Sequence, residues 1–193
     1  MATNIFRNIR IKAGDSEKSY QWYKNQVNNL GSRINGREIL RNEKLTSRLV
    51  FGNMYLFMYD PKHKETLPYY DTLPLVLPFN TAPNGFLGIN LHYLPYLARF
   101  NLLGSLSNLV TDDRIDEKTK INISWQILTS SSKYYAATTC VKHYLTEHIR
   151  TRFLKINFSD WVTAAMLPIE SFRKEQKEKV WRDTKRKLKN VNY

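Results

Sequence analysis

Cysteine is almost absent from this chain, and long hydrophobic runs are absent altogether. An internal disulfide needs two cysteines, and the 193 residues contain one, Cys140, so a reducing cytoplasm suits the fold. The most apolar stretch, residues 73–79, is broken by Pro74 and Pro78 and falls far short of the roughly 20 residues of a membrane span. The N-terminus also lacks the apolar core of a signal peptide. We therefore expect no disulfide and no membrane contact.

Sequence motifs of catalysis are missing as well. The chain contains no serine-nucleophile turn (GxSxG), no phosphate-binding loop (GxxxxGKS or GxxxxGKT) and no zinc-protease pattern (HExxH). Cys140 and His143 are three residues apart, which is at most half a metal site, and His143 and His148 would lie about 140° apart on a helix. The other two histidines, His63 and His92, are isolated. The sequence predicts no metal, no cofactor and no catalytic residue.

One acidic cluster keeps an enzymatic alternative open. Nucleases hold magnesium with grouped carboxylates, and such a group occurs in sequence at Asp112, Asp113, Asp116 and Glu117. Basic residues at positions 114 and 118 balance this charge locally, which is typical of a solvated loop. We therefore expect a protein that is not an enzyme, and we keep a metal-dependent DNA-processing enzyme as the alternative.

Positive charge is concentrated at the two ends of the chain, whose net charge is +13. Residues 1–48 contain ten Lys or Arg against four Asp or Glu, and residues 171–193 contain nine against three. Residues 49–170 contain eleven against ten and are nearly neutral. We therefore divide the chain into a basic N-terminal arm with helices (1–48), a globular core (49–170) and a basic C-terminal helix (171–193).

The basic ends predict contact with a polyanion or with an acidic protein surface. Four unopposed cations within residues 185–189 repel one another on a helix, so an anionic partner would stabilise them. A DNA backbone is one candidate, and it would be bound without sequence preference because phosphates carry no base information. An acidic groove on another protein is the second. The candidate binding residues are Arg7, Arg10, Lys12, Arg173, Lys174, Lys177, Arg182, Lys185, Arg186, Lys187 and Lys189.

The residue patterns predict an α+β fold with a small antiparallel sheet or open barrel at about residues 49–90, flanked by helices. Pro74 and Pro78 restrict the strand between them to an edge or bulged position, because proline cannot donate a ladder hydrogen bond. The Asn84-Gly85 pair predicts a turn with positive φ, at which Gly85 should not tolerate alanine. The strand candidates are residues 54–59, 75–77, 86–90 and, further along the chain, 153–158.

Helical spacing occurs on both sides of these strands. Apolar residues three and four apart from Tyr20 to Leu30 predict a helix that ends at Gly31. The first 14 residues are interpreted as an arm. We assign no structure to residues 121–128. The remaining helices are predicted at residues 37–45, 96–110 and 136–150, from Ser159 to just before Pro168, and from Ser171 to Leu188.

Several segments of the chain resemble a known family. They read NMYLFMYDPKHKETLPYYDTLPLVLPF (53–79), GFLGINLHYLP (85–95), KHYLTEHIRTRFLKI (142–156) and VWRDTKRK (180–187). In these segments the chain resembles small virion proteins of T-even-type contractile-tailed bacteriophages, namely the DNA end-protector or head-completion group. A baseplate or tail-hub protein of the same phages is the alternative within this resemblance.

The resemblance implies a structural role in virion assembly, in the host cytoplasm and then in the virion, near the head–tail junction. The implied partners are other head, neck or tail subunits and double-stranded DNA. For residues 185–189 we favour an acidic groove of a neighbouring subunit, because virion proteins are usually held by their neighbours. Tyrosine and tryptophan are enriched at protein interfaces, and the interface candidates are Tyr69, Tyr70, Tyr93, Tyr96 and Trp181.

Overall fold

The strands of this protein form an open antiparallel sheet that is flanked by helices, which confirms the α+β class. The computed structural model describes residues 5–14, 18–31, 34–110 and 140–189, and in addition the single positions 16, 116, 119 and 126. Within these residues, none of the helices combines the length and the apolar character that a bilayer crossing needs. The division of the chain into residues 1–48, 49–170 and 171–193 stays a prediction.

Six helices are present in the described part of the chain: α1 (Ile5–Ala13), α2 (Tyr20–Leu30), α3 (Gly36–Asn42), α4 (Tyr96–Val110), α5 (Trp161–Met166) and α6 (Lys177–Lys189). The strands are β1 (Met54–Leu56), β2 (Tyr70–Asp71), β3 (Leu75–Ala82), β4 (Gly85–Asn90), β5 (Val141–Leu145), β6 (Leu154–Ile156) and β7 (Phe172–Arg173). Short 3-10 turns occupy Leu91–Tyr93, Thr146–His148 and Phe158–Asp160.

Five strands form the main sheet in the order β5-β4-β3-β1-β6, and every neighbouring pair is antiparallel. A separate two-stranded ladder joins β2 to β7. The sheet is therefore larger than the predicted range of 49–90, because its two outer strands, β5 and β6, come from later in the chain.

Alternating side chains give the sheet two apolar faces. On one face, Met54 and Leu56 join the larger core with side chains from the helices. On the other face, Tyr55 and the following Phe57 belong to an aromatic cluster that includes Phe153. The ring of Phe57 lies 5.1 Å from that of Phe153 in an edge-to-face arrangement, which suits the charge distribution of aromatic rings. Both faces of β1 are thus buried, and this explains its continuous apolar sequence.

The structure decides between the two positions predicted for the proline-bounded strand. β3 lies between β4 and β1, so it is not an edge strand. The expected bulge is confirmed, since the register with β4 shifts between Pro78 and Asn80. The carbonyl of Pro78 accepts a hydrogen bond from the backbone of Gly52, so the bulge keeps this proline satisfied within a central strand.

The hairpin between β3 and β4 confirms the predicted turn, but the positive φ and the steric restriction fall on two different residues. The positive φ belongs to Asn84, at 58°, and asparagine tolerates this region better than most residues. Gly85 is restricted by space instead. A Cβ at Gly85 would lie 1.8 Å from the carbonyl oxygen of Tyr144, so alanine would force β4 and β5 apart.

The predicted helix at residues 136–150 is wrong where the structure describes it. Residues 141–145 form strand β5, paired with β4, although Val141, Tyr144 and Leu145 have helical spacing. Tyr144 is buried between strands in the aromatic cluster, so tertiary packing overrides the local pattern. Residues 136–139 and 121–125 lie outside the described residues.

Both chain ends also differ from their predicted form. Residues 5–13 are a helix rather than an arm, because Phe6 and Ile9 are three residues apart and both pack into the core. Ser171 does not cap a helix, since α6 begins only at Lys177 and the residues before it form β7. The helices predicted at 20–30, 37–45 and 96–110, the short helix before Pro168 and the strand within 153–158 are confirmed, with shifted ends in some cases.

Candidate nucleic-acid interface

A pocket of about 450 Å³ lies between the loop that follows β1 and the outer strand β5. Five tyrosines contribute to it, and we call it the tyrosine pocket. Its lining residues are Tyr59, Pro61, Lys62, His63, Leu67, Tyr69, Tyr70, Asp71, Asn90, Tyr93, Lys142, His143, Tyr144 and Leu145. Three of the predicted interface residues, Tyr69, Tyr70 and Tyr93, therefore line one cavity.

Ring-to-ring contacts hold the aromatic walls of the tyrosine pocket in place. The rings of Tyr59 and Tyr144 lie edge to face at 4.9 Å, and those of Tyr69 and Tyr93 lie 6.0 Å apart. The hydroxyl of Tyr59 accepts a hydrogen bond from the backbone N–H of Leu145, which fixes its wall to β5. Burial raises the pKa of Tyr93 and of Tyr144 well above 10, so both hydroxyls remain protonated at neutral pH.

Lys142 projects from β5 into this aromatic surrounding. Its ammonium nitrogen lies 4.2 Å from the ring centroid of Tyr93, which is a cation–π distance. Burial lowers the pKa of Lys142 from 10.5 to about 8, and the positive charge of Lys187 acts in the same direction, whereas Cys140 and Asp71 act against it. Within the described part of the chain, no carboxylate forms an ion pair with this ammonium group. The pocket therefore contains a cation that is attracted by Asp71 through space but has no direct ion-pair partner among these residues.

The floor of the tyrosine pocket is an ionic network around Asp71. The carboxylate lies 2.7 Å from Nδ1 of His92 and 3.2 Å from the side-chain nitrogen of Asn90. It also accepts hydrogen bonds from the backbone N–H groups of Leu73 and Ser171. Burial alone would raise the pKa of Asp71, but His92 and these donors outweigh burial and hold the pKa below its usual value. Asp71 is thus a buried residue that joins β2 to the segments that contain Asn90, His92 and Ser171.

A second buried cation, Arg99, joins α4 to α6. Its guanidinium donates to three backbone carbonyl oxygens and lies 2.7 Å from Oε1 of Glu170. The rings of Tyr96 and Trp181 lie 4.6 and 5.5 Å from the guanidinium carbon, and the indole N–H of Trp181 donates to the carbonyl of His92. Tyr96 and Trp181, two of the predicted interface residues, therefore enclose this cation.

The predicted basic residues differ in what they contact. In α1, Arg7 and Lys12 are exposed, whereas Arg10 forms an ion pair of 2.6 Å with Asp160. Among the C-terminal residues, Lys174 donates to the carbonyls of residues 65 and 67, Lys177 lies 3.7 Å from Glu170, and Arg186 lies 3.2 Å from Asp183.

Three exposed cations of α6 have no such partners, and we call Arg182, Lys185 and Lys187 the α6 cations. Each lacks a hydrogen bond or ion pair to the residues that the structure describes. Val180 and Thr184, four residues apart, are fully buried and pack α6 onto the protein. Arg182 and Lys185 lie away from this packed side, whereas Lys187, seven residues after Val180, is exposed towards the end of the same side. Arg173 is exposed in β7, and the side chain of Lys189 lies outside the described part.

Sequence reasoning missed Lys142, Lys62 and the buried Asp71 and Arg99 centres. Nothing local distinguishes these residues, because their surroundings come from segments far apart in the chain. Within the described residues, no three His, Cys, Asp or Glu side chains are arranged to hold a metal ion. The acidic residues Asp112, Asp113 and Glu117 lie outside that part of the chain.

Comparison with known proteins identifies the family. No curated protein and no solved structure matches this chain. Residues 4–185 match the family model described as the phage T4 terminal DNA protecting protein. The match includes α1, residues 177–185 of α6 and every residue of the tyrosine pocket, and it ends before Lys187. The chain therefore belongs to the family of the phage T4 terminal DNA protecting protein.

Proposed function

We propose that this protein is a structural component of the phage particle that binds the ends of double-stranded DNA and shields them from exonucleases. The observation that carries the proposal is the group of α6 cations, which are exposed and have no hydrogen bond or ion pair to the described residues. Phosphates would neutralise them, and the match to a DNA-protecting family supports DNA over the acidic groove that the sequence analysis favoured for residues 185–189. The family to which the chain belongs agrees with a DNA-protecting role.

The position of the protein is part of the same proposal. A protein that covers DNA ends would be located in the virion at the head–tail junction, where an end of the packaged DNA meets neck and tail subunits. The predicted basic residues of α1 and β7 would then contact either DNA or acidic surfaces of those subunits. Protection of this kind needs only binding, so the protein would work without catalysis. The DNA-protecting family does not favour the baseplate alternative.

Protection of DNA ends from an exonuclease tests the proposal. Blunt linear duplex is incubated with the protein and then with a processive exonuclease, and the half-time of degradation is measured. The informative variant replaces the α6 cations together (Arg182→Gln, Lys185→Gln, Lys187→Gln). The matched control removes the same charge from exposed positions of α2 and α3 (Lys24→Gln, Arg37→Gln, Arg41→Gln).

We expect wild-type protein and the control variant to protect the DNA, and the α6 variant to lose most of the protection. The slope of log affinity against log salt should also become shallower by about 2 to 3, since each lost phosphate contact removes about 0.9. DNA that is degraded at the naked rate under saturating wild-type protein would contradict the proposal.

The same incubation without exonuclease separates binding from catalysis. With magnesium or manganese present, the proposal expects the duplex to remain intact. Cleavage by the pure protein that is abolished by Asp112→Ala or Asp116→Ala would instead favour the metal-dependent nuclease alternative.

A further inference from the structure

We propose that the tyrosine pocket binds the terminal nucleotide of a DNA end, with the base against the tyrosine rings and the phosphate on Lys142. The inference rests on the proposed function and adds to it a specific site. It would explain how a protein without sequence preference distinguishes an end from the interior of a duplex.

The size of the pocket fits one nucleotide. Its volume is about 450 Å³, near the lower end of the roughly 300–1,000 Å³ of pockets that hold small ligands. A base pair within continuous duplex is too large to enter. The pocket can therefore select a single unpaired nucleotide.

The chemistry of the walls fits a nucleotide as well. Aromatic rings stack on any base, because every base has a π face, so such a site reads no sequence. Lys142 supplies a positive charge that has no carboxylate partner in the described residues, and Lys62 is exposed at the rim. The oxygens of Asp71 are hydrogen-bonded to His92, Asn90 and two backbone N–H groups, so Asp71 attracts Lys142 through space without forming an ion pair with it.

The position of the pocket relative to α6 links it to the duplex. Helix α6 contacts the turn that supplies Tyr93 to the pocket, because the indole N–H of Trp181 donates to the carbonyl of the adjacent His92 at 2.8 Å. The charge of Lys187, further along α6, also acts on Lys142 and lowers the pKa of that amine. The two residues lie on different elements, β5 and α6. A duplex whose backbone follows the α6 cations would consequently bring its end to the pocket.

The energetics of DNA favour an end over an interior site. A nucleotide inside a duplex must break its pair and two stacking contacts before it can enter a pocket. A terminal nucleotide has only one stacked neighbour and opens more readily. The free energy of binding in the pocket would therefore offset the small unstacking cost of a terminal nucleotide. It would not offset the larger cost of an interior nucleotide, so the pocket would reject interior ones.

Two DNAs of equal length test the inference with the full protein. One is a blunt duplex with 5′-phosphates, and the other is a dumbbell in which hairpins close both ends. The fluorescent base 2-aminopurine is placed either at the terminal position or in the middle of the blunt duplex. The pocket variants are Lys142→Met and, at the exposed rim, Lys62→Met. Lys44→Met, exposed and outside the pocket, is the charge-matched control.

We expect wild-type protein to bind the blunt duplex roughly fivefold to a hundredfold tighter than the dumbbell, the range that one stacked base contributes. Terminal 2-aminopurine should change its fluorescence on binding, and the central probe should not. Lys142→Met should remove most of the preference for ends with unchanged dumbbell affinity, and Lys44→Met should keep it. Lys62→Met should reduce the preference and provides the test if Lys142→Met fails to fold.

Three results would overturn the inference, and they are distinguishable. Equal affinity for both DNAs, or a silent terminal probe, combined with normal exonuclease protection would leave the proposed function intact and exclude the pocket. The absence of any DNA binding by wild-type protein would overturn both. Binding of an acidic peptide at the pocket without response to DNA would identify a virion protein as the occupant.

Discussion

Arg99 and Lys142 are both cations that contact aromatic rings, and they differ in everything else that they contact. Arg99 is fully buried and is saturated by three carbonyls, Glu170 and two rings. Lys142 lies over the ring of Tyr93 and forms no ion pair with the described residues, although the charge of Asp71 acts on it through space. The comparison teaches that burial of a charge indicates structure when the protein supplies its partners, and indicates a binding site when it does not.

Replacing Arg99 tests this comparison with the largest expected change in stability. We expect Arg99→Met to lower the free energy of unfolding by about 3–5 kcal/mol, because it leaves Glu170 buried without its main partner. Urea denaturation monitored by tryptophan fluorescence measures the change. Adding Glu170→Gln should recover part of the loss, since the buried charge is then removed as well. A loss below about 1 kcal/mol for the single variant would show that Arg99 does not join α4 to α6.

The saturated carboxylate of Asp71 should behave like Arg99 on a smaller scale. We expect Asp71→Asn to cost about 1–3 kcal/mol at pH 7, since several buried donors lose a charged acceptor. The folded-state pKa of Asp71 is lowered, so its contribution is present above its usual value of 3.8 and is lost as the pH falls further. Denaturation midpoints at pH 7 and pH 3 should therefore show the difference from wild type shrinking in acid. A difference independent of pH would exclude this origin.

Removing Lys142 should change the free energy of unfolding in the opposite direction, so that the protein becomes more stable. The folded-state pKa of Lys142 is lowered to about 8, so keeping it charged destabilises the folded protein below pH 8. We expect Lys142→Met to raise the free energy of unfolding by about 1–2 kcal/mol at pH 7. This net gain already allows for the contacts that the lysine side chain makes and the variant loses. The gain should fall between pH 8 and pH 10.5, because the wild-type lysine then loses its proton in the folded state. Lys44→Met is the control, and a destabilised Lys142→Met would contradict the comparison.

Lys177 should give the smallest effect, because it lies at the periphery of the Arg99 centre and is partly exposed. Its ammonium group lies 3.2 Å from the hydroxyl of Tyr96 and 3.7 Å from Glu170. We expect Lys177→Met to cost about 0.5 kcal/mol, the usual contribution of an ion pair near solvent. Thermal unfolding at low and high salt measures it. A cost comparable to that of Arg99→Met would mean that Lys177 and Arg99 stabilise the buried carboxylate of Glu170 equally.

Local residue patterns predicted those helices and turns that are specified by residues close together in the chain. The helix from Tyr20 to Leu30 and the Asn84-Gly85 turn are each specified by neighbouring residues. Strand β5 could not be found in this way, because its partner β4 lies about fifty residues earlier in the chain. The first helix was missed because Ile5, Ile9 and Ile11 alternate with cations as in a strand, although Phe6 and Ile9 pack as on a helix.

The candidate site was predictable only in its exposed part. Exposed cations such as Arg182 and Lys185 are visible as a charged run, so sequence reasoning could name them. The tyrosine pocket combines residues from 59–71, 90–93 and 142–145, and no spacing in the sequence predicts that these three segments lie together. The role of the named cations and tyrosines in binding stays a prediction.

The structure of the protein bound to a blunt, 5′-phosphorylated duplex tests the central claim most directly. The account predicts the terminal nucleotide inside the tyrosine pocket, its phosphate within hydrogen-bonding distance of the Lys142 ammonium, and the adjoining backbone along the α6 cations. A complex in which the duplex lies on another face, with the pocket free of DNA, would contradict it.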